Sequence, residues 1–142
     1  MRRTDLSVHP AVPGANEIAG LIEALQRSLR INAVVLFGSR ARGDYLYESD
    51  WDIAVVSSEF DPDLPPFKRG EKMNLPRERG TCFEIVYLTP EEIEAMNHCL
   101  VLDLLEEGEI LYDDGTFRAA RDLFQERRNM GKIVRIPKGW KF

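Results

Sequence analysis

The sequence predicts one α+β domain, built from a small mixed β-sheet with helices packed on one face. Its 142 residues suit a single domain, and its 44% hydrophobic and 30% charged residues are ordinary for a globular protein. Short apolar runs typical of strands alternate with amphipathic stretches typical of helices. Because no repeat or linker divides the chain, we expect one domain over 1–142, with a loose N-terminal arm over 1–14 and a basic, irregular C-terminal tail over 129–142.

The first helix and the first strand lead to a turn that contains glycine. Asn16 can cap a helix that runs to about Arg30, since apolar residues recur on one face of this stretch. The continuous apolar run Ala33–Phe37 is typical of a strand buried on both faces. It ends at Gly38, and a short helical turn is predicted over Arg40–Gly43.

Two further predicted strands, Trp51–Val56 and Thr81–Leu88, flank a long segment rich in proline. Residues 59–79 contain four prolines, so they cannot hold a long regular element. This segment is either a solvated loop or a basic lid over a bound ligand. Its basic residues are Lys68, Arg69, Lys72, Arg77 and Arg79.

Helices and one short strand complete the chain. Thr89 is a strong helix cap, because a proline and two acids follow it. The helical pattern has a break near Asn97 and ends at Gly108. We predict a short strand over Glu109–Tyr112 and a final amphipathic helix over Thr116–Arg128.

Composition excludes several classes of protein. No apolar run approaches the ~18 residues of a membrane span, and no apolar segment typical of a secretory signal follows the N-terminal arginines. Cys82 and Cys99 cannot form a disulfide framework and lack zinc-ligand spacing, so we predict two reduced, buried thiols. We therefore expect a cytoplasmic protein with no membrane partner. A net charge of −5 also argues against nucleic acid as the primary partner.

Charge is unevenly distributed in the second half of the chain. Gly80–Phe117 holds ten acidic residues and no lysine or arginine, whereas 118–142 holds eight basic residues and two acidic ones. Such asymmetry is either a solvated surface or the contact surface for a charged partner.

The turn after the first strand has the chemistry of a phosphate site. Gly38 and Ser39 stand where backbone N–H groups of a following helical turn point outward, and glycine lets phosphate oxygens come close. The Ser39 hydroxyl and the guanidinium groups of Arg40 and Arg42 are further donors suited to phosphate. For each arginine, solvation or pairing with a nearby acid is the alternative.

Three carboxylates complete a candidate metal site. Asp50 and Asp52 lie two residues apart on a strand, so both side chains leave the same face. Because adjacent carboxylates repel unless a cation lies between them, we expect them to bind a cation, and Mg²⁺ is the expected one. Glu84, in the middle of an apolar strand, is the third candidate ligand, or a base that activates an attacking hydroxyl. Its alternative role is that of a paired acid on an edge strand.

These motifs resemble the minimal nucleotidyltransferases of the DNA polymerase β superfamily. The resemblance rests on Gly38-Ser39, ten intervening residues and then Asp50-x-Asp52, with Arg-x-Arg-Gly directly after the serine. It extends to the mid-strand acid Glu84 and to the sequence EGEILY over 107–112, and covers roughly residues 16–125. The third acid of that family is usually Asp, whereas this chain has Glu.

The resemblance implies a polymerase β-like fold and a role for each motif. Gly38 and Ser39 would bind the triphosphate of ATP, Asp50 and Asp52 would ligate Mg²⁺, and Glu84 would promote attack. Many minimal members are encoded beside a small helical toxin of the HEPN type and act as antitoxins, moving AMP onto a tyrosine of that toxin. The resemblance therefore predicts ATP and a HEPN-type toxin as partners.

Two other functions remain open from the sequence. The acceptor of AMP could be a small hydroxylated molecule such as an aminoglycoside, with the acceptor site completed by a homo-oligomer. The domain could also be catalytically degenerate and neutralise its partner by binding alone, a hypothesis that the glutamate at position 84 supports.

Overall fold

The structure, a computed structural model, describes residues 15–43, 51–72 and 83–142. The predicted arm over 1–14 lies outside these ranges, as do Asp50 and Cys82. The elements in chain order are α1 (Ala15–Ser28), β1 (Ala33–Phe37), α2 (Ser39–Arg42), β2 (Trp51–Val56), α3 (Arg69–Lys72), β3 (Phe83–Leu88), α4 (Pro90–Ala95), α5 (Cys99–Glu107), β4 (Glu109–Asp113), α6 (Thr116–Asn129), β5 (Val134–Ile136) and β6 (Gly139–Lys141).

Four strands form a mixed sheet in the order β3-β2-β1-β4. Strand β1 pairs antiparallel with both β2 and β4, whereas β2 pairs parallel with the edge strand β3. The register between β1 and β4 shifts at Val34 and Val35, which leaves Leu111 as an extra residue on β4. The predicted α+β class with a small mixed sheet is confirmed.

Helices cover both faces of the sheet, so the expectation of helices on one face was wrong. Apolar side chains of α1 pack on one face against Val34, Ile53 and Val55. Side chains of α4, α5 and α6 pack on the other face against Val35 and Ala54. Because alternate residues of a strand point to opposite faces, the continuous apolar runs of β1 and β2 supply both cores.

The proline-rich segment after β2 is fastened to the start of α4 by a buried arginine. Arg69 is only 2% exposed, and its guanidinium donates to Glu92 Oε1 at 2.6 Å and Oε2 at 2.9 Å. It also donates to the carbonyls of Leu64, Pro62 and Tyr87. This pairing excludes Arg69 from the proposed basic lid; residues 73–82 lie outside the described ranges.

Glu92 also closes the cap that the sequence predicted at Thr89. The Glu92 amide donates to Thr89 Oγ1, and the Thr89 amide donates to Glu92 Oε1 at 2.8 Å, which together form a capping box. Burial acts to raise the pKa of Glu92, but hydrogen bonds from Arg69 and Thr89 outweigh it and hold this pKa below its usual value.

The C-terminal segment is ordered, in contrast to the irregular tail that was predicted. Strands β5 and β6 form an antiparallel hairpin. Trp140 of β6 is buried against Phe124 of α6, with the two rings edge to face at 5.7 Å, and its indole N–H donates to Asp103 Oδ1 at 2.8 Å. The glycine and proline residues of this segment therefore belong to a hairpin, which the buried side chain of Trp140 anchors to the core.

Among the described residues, three ion pairs join acids of 80–117 to arginines of 118–142. Arg128 contacts Glu106 at 2.9 Å, and Arg135 contacts Asp103 at 3.0 Å. Arg121 donates to the carbonyls of Leu105 and Gly108, which caps the end of α5. Internal pairing therefore accounts for part of the charge asymmetry, and the alternative of a charged partner stays a prediction.

Two further observations complete the fold. The Cys99 thiol is free and exposed, so the prediction that it is buried was wrong. Cys99 is the first residue of α5, and the buried side chains of Leu102 and Leu104, three and five residues further along, pack in the core. Within the described ranges, none of the helices combines the length and the apolar character needed to cross a membrane.

We predict that Glu92→Gln lowers the free energy of unfolding by about 2 kcal/mol, since a buried guanidinium loses its countercharge; a fully buried pair would lose about 3–5 kcal/mol. The pKa of Glu92 is lowered in the folded state, so this stabilisation is complete above the ordinary glutamate pKa of 4.5 and declines as pH falls through the folded pKa. The wild type and the variant should therefore converge in acid. Urea titrations at about pH 7 and about pH 3 measure both effects.

The matched control is Glu94→Gln, an exposed position on the same helix. An equal loss of stability in this control, or a difference between wild type and Glu92→Gln that persists unchanged in acid, contradicts the assignment.

Candidate active site

Three neighbouring strands place the candidate residues at one end of the sheet. In the antiparallel ladder, Phe37 at the end of β1 is the partner of Asp52, the second residue of β2. In the parallel ladder, Asp52 is the partner of Glu84, the second residue of β3. Gly38 follows Phe37 directly. Gly38, Asp52 and Glu84 therefore come from distant parts of the sequence to one end of the sheet.

Asp52 and Glu84 project from the same face. Trp51 and Ile53 belong to the core beneath α1, so Asp52 between them points to the face covered by α4–α6. Glu84 has the same orientation, because Ile85 packs on the α1 side and Val86 on the other. Neighbouring strands lie about 4.8 Å apart, which brings the two carboxylates within reach of one cation. Trp51 is buried in the core beneath α1, on the face opposite to Asp52.

Gly38 is in direct contact with the Asp52 carboxylate. Its φ is +73°, in the left-handed region that favours glycine. A Cβ at this position would lie 2.1 Å from Asp52 Oδ2 and 3.0 Å from Asp52 Cγ, far inside van der Waals contact. Only glycine thus lets the chain turn here while Asp52 keeps its position.

The turn after Gly38 is the predicted short helix. The Arg42 amide donates to the Gly38 carbonyl at 3.1 Å, which closes the single turn of α2. The half-exposed Arg42 guanidinium donates to Glu107 Oε1 at 3.0 Å. This contact corresponds to the alternative of pairing with a nearby acid, and the phosphate role of Arg42 stays a prediction. The predicted roles of the Ser39 and Arg40 side chains fall outside the described part of the structure.

Glu84 is an exposed acid on an edge strand. Within residues 15–43, 51–72 and 83–142, it makes no hydrogen bond or ion pair with another side chain. The alternative of a structurally paired edge acid therefore has no support from the described residues. An exposed carboxylate beside Asp52 is available to a ligand.

The donor set fits Mg²⁺. Asp52 and Glu84 supply hard oxygen ligands on one face, and Mg²⁺ completes its shell with water and substrate phosphates. Asp50, the other predicted ligand, lies outside the described ranges. In the part of the chain that the structure describes, no cluster of three or more His, Cys, Asp or Glu side chains could hold a metal ion.

The residue that sequence reasoning missed is Glu107. It lies 65 positions from Arg42 in sequence, yet the two side chains meet because α5 ends beside the start of β4, at the end of the sheet where Gly38 lies. The only sequence signal was its place in the EGEILY motif, which indicated a family feature but no contact.

A mixed four-stranded sheet with a glycine turn and two strand-end carboxylates defines a domain of the nucleotidyltransferase type. The family model for polymerase beta nucleotidyltransferases matches residues 20–115, more than half of the chain. The chain therefore belongs to the polymerase β nucleotidyltransferase family.

The chain is similar to several solved structures, of which the first agrees with its fold. The first is a protein from Sulfolobus solfataricus described as a nucleotidyltransferase, with 23% identity over 70% of this chain and 79% of that chain, at a TM-score of 0.51. Two others are a toxin–antitoxin complex with AMP-PNP (16% identity, 81% and 93% coverage, TM-score 0.43) and a mutant of the toxin–antitoxin pair MntA-HpeT (17%, 81% and 93%, 0.46). A search of curated proteins gives no match.

We predict that Gly38→Ala impairs ATP binding far more than Gly43→Ala. Both glycines have positive φ, so alanine costs each about 1–2 kcal/mol in backbone strain. Only at Gly38 would the new methyl group collide with Asp52, whereas no atom of the described residues lies within 4 Å of a Cβ at Gly43. Calorimetric titration with Mg²⁺ and a non-hydrolysable ATP analogue, alongside thermal unfolding, separates binding from strain. Equal affinities for the two variants refute the structural role given to Gly38.

Proposed function

We propose that this protein is a Mg²⁺-dependent nucleotidyltransferase that transfers AMP from ATP to a tyrosine hydroxyl of a partner protein. The observation that carries the proposal is the register that sets Asp52 between the Gly38 turn and Glu84, in a chain that belongs to the polymerase β nucleotidyltransferase family. Nucleotidyl transfer requires a phosphate-binding turn, a metal-binding carboxylate and a further acid, the roles that we give to the Gly38 turn, Asp52 and Glu84.

Each residue has a distinct task in this proposal. Asp52, together with Asp50, would hold the metal, and Glu84 on the neighbouring strand would activate the acceptor hydroxyl. Gly38 leaves room for the triphosphate to approach the turn, where Ser39, Arg40 and Arg42 supply donors. When bound, Mg²⁺ neutralises charge on the phosphates and orients them. Strands β2 and β3 hold the carboxylates of Asp52 and Glu84, so the position of their negative charge stays fixed through the reaction.

The proposed reaction is a displacement at the α-phosphorus of ATP. The tyrosine oxygen forms a new bond to the α-phosphorus, the bond between this phosphorus and the α–β bridging oxygen breaks, and pyrophosphate leaves. The phenolic proton passes to a base, for which Glu84 is our candidate because it is exposed and adjacent to Asp52. Holding the phenol in line with the leaving group supplies much of the rate.

The choice of a protein acceptor rests on the motif resemblance to minimal nucleotidyltransferases that act as antitoxins against HEPN-type toxins. The charge asymmetry does not contribute, since part of it reflects internal ion pairs. The proposal includes a cytoplasmic location, where ATP and Mg²⁺ are both present. Two alternatives would replace this proposal: transfer of AMP to a small hydroxylated molecule, or neutralisation of the partner by binding without catalysis.

We predict that Asp52→Asn abolishes AMP transfer and weakens Mg²⁺-dependent ATP binding, because a charged ligand of the metal is lost. Glu84→Gln should slow transfer by about 10²-fold or more, as expected for loss of a general base, while ATP affinity changes much less. Initial rates of AMP incorporation and calorimetric affinities measure the two effects separately. Undiminished transfer by a folded Asp52→Asn protein refutes the site, and Glu94→Gln, remote on α4, serves as the control.

We predict that the protein encoded by the neighbouring gene gains one or more AMP units on tyrosine when co-expressed with this chain. Intact-mass spectrometry, followed by peptide mapping, detects the modification. The Asp52→Asn chain supplies the control, since it should bind the same partner without modifying it. If an aminoglycoside panel is modified and the protein is not, the acceptor is a small molecule. If the two proteins bind and neither kind of acceptor gains AMP, the enzymatic proposal fails.

A further inference from the structure

Helix α2, which follows Gly38, needs support from the rest of the fold. It comprises only Ser39–Arg42, and the Arg42 amide donates a hydrogen bond to the Gly38 carbonyl. A single helical turn is unstable in water, because nucleation fixes several dihedral angles for one hydrogen bond. The position of this turn, and of any ligand bound to it, therefore depends on tertiary contacts.

Contacts reach α2 from both faces of the sheet. Ala41 packs against the core that α1 covers, which includes Leu36 and Trp51. On the opposite side, the Arg42 guanidinium reaches Glu107 at the end of α5, whose apolar residues belong to the other core. The Arg42–Glu107 ion pair therefore connects α2 to the layer of α4–α6, whereas Ala41 connects α2 to the core beneath α1.

Glu107 is a well-fixed partner for this arginine. It follows the buried Leu104 and Leu105, and its side chain is only 21% exposed. Gly108 comes next, and a Cβ there would lie 2.5 Å from Val35 Cγ1, so the chain is pressed against β1. Arg121 donates to the carbonyls of Leu105 and Gly108 and holds the end of α5 in place.

We propose that Glu107 is a positioning residue, which holds Arg42 and thereby keeps the α2 turn in the geometry that binds the triphosphate. This inference deepens the proposed function and rests on it. The alternative is that Glu107 competes with phosphate for Arg42. The two roles predict opposite signs, since loss of a positioning residue weakens ATP binding, whereas loss of a competitor strengthens it.

The neighbouring residue supplies a matched control. Glu106 and Glu107 are adjacent on α5, and each forms an ion pair with an arginine at nearly the same distance, 2.9 Å to Arg128 and 3.0 Å to Arg42. Glu106→Gln and Glu107→Gln make the same chemical change, but only the second one breaks a contact with α2. A general effect of removing a surface ion pair would appear equally in both variants.

We expect Glu107→Gln to raise the KM for ATP and the Kd for a non-hydrolysable ATP analogue by about fivefold, the upper value for a partly exposed ion pair. The kcat should change by less than twofold, because Glu107 touches no reacting atom. Glu106→Gln should leave KM, Kd and kcat unchanged. Tighter ATP binding by Glu107→Gln, or equal effects of the two variants, overturns the proposal.

Two further measurements make the inference independent of catalysis. Hydrogen exchange of the ligand-free protein should show faster exchange of the Arg42 amide in Glu107→Gln but not in Glu106→Gln. In an Arg42→Gln background, Glu107→Gln should cause no additional change in exchange or Kd. If the wild type neither binds nor turns over ATP, the proposed function fails while exchange still tests the positioning role. If ATP binding is normal and exchange is equal in all variants, the positioning role alone fails.

Discussion

The register of β2 in the centre of the sheet is the constraint on which the site depends. Trp51, Ile53 and Val55 pack beneath α1, while Ala54 and Val56 pack beneath the other helices. A shift of one residue would exchange these two sets and turn the carboxylate of Asp52 toward the α1 core. The apolar packing of the strand on both faces therefore orients an acid at its start, where the sheet ends and a ligand can approach. Stability and site geometry are determined by the same pairing.

The close approach of Gly38 to Asp52 extends this constraint to the turn of α2. The strand pair that aligns Phe37 with Asp52 brings the next residue of β1 against the carboxylate, and glycine alone fits there. The turn cannot shift without moving the acid. Contacts of α2 with both cores, through Ala41 and through Arg42, then limit its motion in the remaining directions. Preorganisation of this kind is what a reaction governed by orientation and charge requires.

Features with local causes could be predicted from the sequence, and features with distant causes could not. The bounds of β1 and β2 and the cap at Thr89 follow from adjacent residues, and the structure reproduces them. The C-terminal hairpin was missed because its stability comes from Trp140 against Phe124 and Asp103, which no local pattern reveals. Arg69 was read as part of a basic loop for the same reason, since its burial depends on Glu92. The motif identified Asp52, Gly38 and Glu84, but not the contact of Arg42 with Glu107.

The charge arrangement separates the site from the rest of the surface. Basic residues of α6 and the hairpin neutralise Asp103 and Glu106 on α5, and Arg69 neutralises Glu92. Asp52 and Glu84 lie side by side on neighbouring strands, where like charges are unfavourable to the sheet. Glu84 is exposed to solvent, and its partner in the parallel ladder is another acid, Asp52. In the proposed function, a cation between the two carboxylates would remove that repulsion, so the sheet register that brings the acids together would itself favour metal binding.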